Sequence, residues 1–227
     1  MVLLISAIGL GFLHGLGGDH LMAIAALSVD GHAAERPAAV RRAEALGIAA
    51  RFALGHALLL GLGAGAIVMI GWSIPPHVER GGEMLGGGLL IVMGLVTLQH
   101  LRAPRPHQTS RFAVRWARSA HEPSRLGPRG TSHAHLPTII GAAFAISSLR
   151  ALAMLTPFGD NLAAAPLSQL LALIAVFAAG ILGSMLLFGV ALAGLLSTRA
   201  LQRVGHAASA LVGLSSIVLG AAWLATA

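Results

Sequence analysis

Between Asp160 and Arg199 the chain carries no formal charge, and the stretch after Pro166 reads LSQLLALIAVFAAGILGSMLLFGVALAGLL. About 20 predominantly apolar residues in a helix suffice to cross a hydrocarbon core of about 30 Å, and a helix apolar on every side must be covered by lipid or by other helices. Such a segment leaves little choice of fold, and it has companions. Charged residues make up only 10% of the 227, against about 25% in soluble domains. That excludes soluble enzymes and nucleic-acid-binding modules despite a formal charge of +7. All fifteen basic residues are Arg, and basic residues beside apolar segments report membrane orientation. With no Cys, the chain has no disulfide, no thiolate metal site and no thiol relay.

Six apolar runs emerge between the charged positions, which predicts an all-α polytopic membrane protein. The first spans Val2 to Val29, interrupted only by His14, Asp19 and His20. The second follows Arg51 to Ile74, and the third follows Glu83 to Gln99. The fourth covers Leu136 to Phe158 and contains Arg150, the fifth follows Pro166, a first-turn residue by preference, and the sixth starts near Val204. The opening MVLLISAIGLG has no basic residue and does not read as a cleaved signal peptide. Odd-numbered connections hold twelve Arg and even-numbered ones hold Arg80 alone. By the positive-inside rule both termini face outward from the inner membrane, with Trp72 and Trp223 at outer interfaces.

The third and sixth runs align at an offset of 126 through Leu85, Gly87, Ile91, Val92, Gly94 and Leu98. The segments 11–24 and 141–154 align at 130, with only two identities. Similar offsets predict two three-helix halves, residues 1–101 and 136–227, joined by an Arg- and His-rich cytoplasmic loop over 102–135. Three spans per half force opposite orientations, an inverted repeat with its site near the midplane. Chance similarity between Gly- and Leu-rich helices is the competing explanation.

The chemistry concentrates in His14-Gly-Leu-Gly-Gly-Asp19-His20. A charge at mid-bilayer costs about 2.5–3.5 kcal/mol even on the lenient insertion scale. On a regular helix His14 and His20 would point roughly 240° apart. Gly15, Gly17 and Gly18 weaken the helix between them, and a break there would let His14, Asp19 and His20 converge. Imidazoles with a carboxylate suit a borderline divalent cation such as Ni2+, Co2+ or Zn2+. The competing role is a polar group hydrogen-bonded between closely packed helices. His56, beside Gly55, is a second intramembrane His, either a ligand or a satisfied core residue. Arg150 stays protonated and needs a partner. In the repeat it occupies the place of His20, so Asp19 across the pseudo-twofold is the expected acceptor, with an anionic substrate as the alternative. His107, His121, His133 and His135 lie in the Arg-rich loop, which reads as solvated and in contact with anionic headgroups.

His14-x4-Asp19-His20, the wider string GFLHGLGGDHLMAIAAL (11–27) and Phe52-Ala-Leu-Gly-His56 resemble nickel/cobalt permeases, and in particular their short branch of urease-accessory membrane proteins. The resemblance implies His14, Asp19, His20 and His56 as the residues that recognise Ni2+ or Co2+. Where the larger permeases carry a Phe-Gly-Leu-Gly-Phe-Asp-Thr type segment in the second half, this chain reads Phe144-Ala-Ile-Ser-Ser-Leu-Arg150. Ser147, Ser148 and Arg150 then supply its polar contacts to substrate or to an ion pair.

The expectation is a permease working by alternating access, not an enzyme: no His-Glu-x-x-His is present for a metalloprotease. The metal would be its substrate and no cofactor would be permanently bound. Its partners would be the lipid bilayer and the divalent ion, with no nucleic acid, acting as a homo-oligomer or with partner subunits where needed. The alternatives are an exporter of a small anionic or amino-acid solute using Arg150, and a non-transporting accessory protein that binds metal.

Overall fold

A computed structural model describes residues 1–28, 37–70, 75–102, 135–148, 166–196 and 205–226. Every regular element in them is a helix: α1 (Val2–Gly15), α2 (Gly18–Ser28), α3 (Ala38–Ile70), α4 (Pro76–Arg102), α5 (Leu136–Ser147), α6 (Leu167–Leu196) and α7 (Gly205–Thr226). Three begin directly after a proline whose carbonyl accepts the first amide protons: Pro37 from Val40 and Arg41, Pro75 from Val78 and Glu79, Pro166 from Gln169 and Leu170. Pro166 thus precedes its helix and caps it from outside.

Among the described residues α3, α4, α6 and α7 are long and apolar enough to cross a membrane. The α1–α2 pair adds a fifth span if its two pieces, bent by 51°, make one crossing. Of the remaining expected span, the described residues include the 12-residue helix α5, about 18 Å at 1.5 Å per residue. Its continuation through Arg150 to Phe158 lies outside the described residues, as do Trp72 and loop residues 103–134. The helix α3 starts earlier than its apolar run, at Ala38, so Arg41 and Arg42 sit in its opening turns and not in a connection. Alanines there make good helix formers, and Arg41 is buried.

Glycines set how closely the helices approach. The helices α1 and α6 touch where Gly11 faces the Phe177 carbonyl and Gly180 faces the Ile8 carbonyl and the Phe12 amide. In α3 and α5, Gly55 faces the Thr138 carbonyl while Gly141 faces that of Phe52. In α4 and α7, Gly87 meets Gly220 and Gly94 meets Gly213, again through backbone. A Cβ at these positions, Gly213 apart, would run into opposing main chain, which has no rotamer by which to yield; at Gly213 it would meet the Leu98 side chain first. Without a water-driven hydrophobic force between helices in lipid, such close contact is what holds them together. The buried interior contains Phe52, Phe144 and Phe177 together with Ile24, Leu60, Leu90, Ile181 and Met185. Leu13, Leu54, Leu58, Leu62, Leu187, Val190, Leu211 and Val218 point outward, an apolar exterior suited to a multi-pass membrane protein.

Candidate metal centre

The break between α1 and α2 builds the site. The amide of Leu16 reaches the carbonyls of Phe12 and Leu13, and that of Gly17 reaches His14, which closes α1. The carbonyl of Gly17 then accepts from Leu21 and opens α2. Gly17 is required for space: a Cβ there would stand 2.6 Å from Asp19 Oδ1 and 2.8 Å from His20 Nδ1. The turn cancels the angular separation a continuous helix would impose, and the His14 and His20 rings come to 4.9 Å between centroids.

His56 completes the cluster from α3, at 4.6 Å from His20 and 5.8 Å from His14. One nitrogen from each of the three rings lies within 4.8 Å of the others. Donors sharing a tetrahedral ion with bonds of about 2.0–2.1 Å stand about 3.4 Å apart, so ligation would draw the three nitrogens closer together. His20 and His56 are buried and His14 is half-buried. His56 is fully enclosed, yet neither of its ring nitrogens has a hydrogen-bond partner. The Gly141 backbone is its polar neighbour, at a geometry short of a hydrogen bond. His14 Nε2 is also buried and without a partner. An unsatisfied buried polar atom costs about 1–3 kcal/mol. Apolar surroundings therefore make these lone pairs available to a ligand and penalise leaving them idle.

Asp19 is not one of the three converging donors. Its Oδ1 lies 2.9 Å from His20 Nδ1, off the line of the ring N–H bond, and its Oδ2 is buried without a partner. The two serines at the end of α5 separate. Ser148 Oγ stands 3.2 Å from His20 Nε2 and 2.9 Å from the Phe144 carbonyl. Ser147 donates to the Phe144 carbonyl at 2.7 Å and fits against Gly86 of α4, away from the imidazoles. Arg150 lies outside the described residues, and so does its expected pairing with Asp19.

Three aromatic residues not singled out in the sequence wall the cluster. The Phe177 ring stacks by His14 at 6.1 Å, Phe52 by His56 at 6.3 Å, and Phe144 lies 6.3 Å from His20 and 5.7 Å from Phe52. For Phe52 a signal was present, one helical turn before His56. Phe177 had none, because it reaches the site from a helix more than a hundred residues away.

No family model, curated protein or solved structure matches this chain.

Proposed function

We propose that the chain is a membrane permease for a divalent transition-metal cation, foremost Ni2+ or Co2+, with the ion carried as substrate. The observation that carries this reading is the trio His14, His20 and His56, with one nitrogen each within 4.8 Å and His56 enclosed with both nitrogens unpartnered. Neutral imidazoles suit this class of ion, and three of them leave coordination positions for water or other oxygen donors. In apolar surroundings the imidazoles replace part of the ion's hydration shell.

In this reading the chain crosses six times, in two inverted halves of three helices, with both termini outside. The glycine contacts support it. Gly11 on α6 is matched by Gly141 on α3, with Gly180 and Gly55 as their respective partners. Exchanging the halves converts one contact into the other, and it also exchanges the Gly87–Gly220 and Gly94–Gly213 pairs. Rocking of one half against the other around a central site is the expected cycle. The chain has no nucleotide-binding motif, so it works as a secondary carrier or with partner subunits.

Uptake of radioactive Ni2+ into proteoliposomes containing only this chain tests the proposal. Time-dependent, saturable uptake that His56→Ala removes is the expected result. Tight Ni2+ binding without flux would identify a metal-binding accessory protein, and absence of both would end the metal reading.

A further inference from the structure

The proton on the Ser148 hydroxyl has two acceptors within reach, His20 Nε2 at 3.2 Å and the Phe144 carbonyl at 2.9 Å. Which of them receives it depends on the His20 tautomer. An ionised carboxylate only accepts hydrogen bonds, and Asp19 Oδ1 lies 2.9 Å from His20 Nδ1. The contact is not a linear hydrogen bond, but at this distance the carboxylate favours a proton over a lone pair on the adjacent nitrogen, so the ring proton belongs on Nδ1 and the lone pair on Nε2. Ser148 then donates to Nε2. Gly17 keeps the Asp19–His20 contact possible, because a Cβ there would press on both partners.

We propose that Ser148 is a latch on the ion site: its hydroxyl occupies the His20 Nε2 lone pair that a divalent transition-metal cation must take, and Asp19 is the positioning residue that fixes this tautomer. This inference rests on the metal reading above and deepens it. When an ion takes Nε2, the hydroxyl turns to the Phe144 carbonyl, an acceptor it then shares with the Ser147 hydroxyl and its own amide. The exchange needs no covalent step and no backbone movement. It has a mechanical consequence, however. Ser148 stands at the end of α5, 128 residues from His20, and loading the ion releases this hydrogen bond between the two halves of the chain. Ser147, one residue earlier, takes no part because its side chain lies against Gly86.

The experiment uses the full chain in detergent, with 15N-labelled histidine and with Ni2+ as the probe. In the ion-free protein His20 is expected as the Nδ1–H tautomer, with an Nε2 resonance shifted by an accepted hydrogen bond. Ser148→Ala should move that resonance and tighten Ni2+ binding about two- to tenfold, the range of one net hydrogen bond. Ser148→Thr, which keeps the hydroxyl, should restore both values. Asp19→Asn should shift the tautomer balance toward Nε2–H and weaken Ni2+ binding about 10–100-fold, as loss of a ligand's hydrogen-bond partner does. An unchanged His20 resonance and unchanged affinity in Ser148→Ala, with Ni2+ still bound by the wild-type chain, would overturn the latch alone. Weaker binding in that variant would make Ser148 an oxygen ligand and also overturn it. No Ni2+ binding by the wild-type chain would overturn the metal reading and the latch together.

Discussion

The two short apolar helices α1 and α5 end alike and then diverge. The first closes on Leu16 at φ −85°, ψ 6°, and the second on Ser148 at φ −96°, ψ 9°. Each touches a long helix through a glycine, Gly11 on α6 and Gly141 on α3. Three residues after that glycine, α1 presents His14 and α5 presents Phe144. His14 stacks by Phe177 of α6, and Phe144 packs on Phe52 of α3. Similar scaffolding thus carries an imidazole of the cluster on one side and an apolar wall on the other. All three imidazoles come from residues 14–56, while the other side contributes aromatic surface and one hydroxyl. The backbone arrangement repeats and the chemistry does not. In the proposed carrier, this would hold the ion mainly on one side while the other moves against it.

The largest effect is expected on the side that holds the ligands. His56→Ala leaves two imidazoles, and Ni2+ affinity measured by equilibrium binding should fall by at least about 100-fold, beyond the range typical of a ligand's hydrogen-bond partner. Phe144→Ala, on the apolar side, should leave the affinity within a few-fold and lower thermal stability by about 3–5 kcal/mol. Equal losses of affinity in both variants would erase the asymmetry between the halves.

Next come the contact glycines, where the two sides should behave alike. Gly11→Ala and Gly141→Ala each drive a methyl group into an opposing carbonyl, and overpacking of this kind costs about 1–3 kcal/mol. Thermal unfolding in detergent should show comparable losses. A large loss in one variant and none in the other would break the equivalence of the two crossings.

Gly17→Ala should weaken Ni2+ binding about tenfold, since it displaces the Asp19–His20 contact that orients a ligand. Ser147→Ala, the matching position in the 130-residue alignment, should change it less than about twofold, because that hydroxyl bonds its own helix. A pronounced effect of Ser147→Ala would bring that serine into the site. The smallest difference concerns pH: wild type and Ser147→Ala should lose Ni2+ together on acidification, since ligation requires neutral imidazoles, and competition binding across a pH series reads it.

Much of the fold was legible locally. Apolar runs bounded by charge specify helices, and Pro166 marks the start of one of them. The glycines after His14 announced a broken helix, because Gly is a weak helix former. The start of α3 was not legible, since Arg41 and Arg42 suggested a connection while the alanines around them continue the helix. A charge count registers polarity and takes no account of propensity.

His14, Asp19 and His20 declared themselves by sequence alone, for titratable groups are expensive in an apolar segment and lie close enough for one turn to join them. That His56 joins the cluster, which serine reaches it, and which phenylalanines enclose it were decided only by tertiary structure. Periodicity describes one helix at a time. The contacts that answer those questions join residues 14 and 177, 20 and 56, and 20 and 148, and they depend on where glycines let two backbones meet. Asp19 shows the division most clearly. Its expense in the membrane was visible in the sequence, but its place beside His20 Nδ1 and not among the three converging imidazole nitrogens was visible only in the structure.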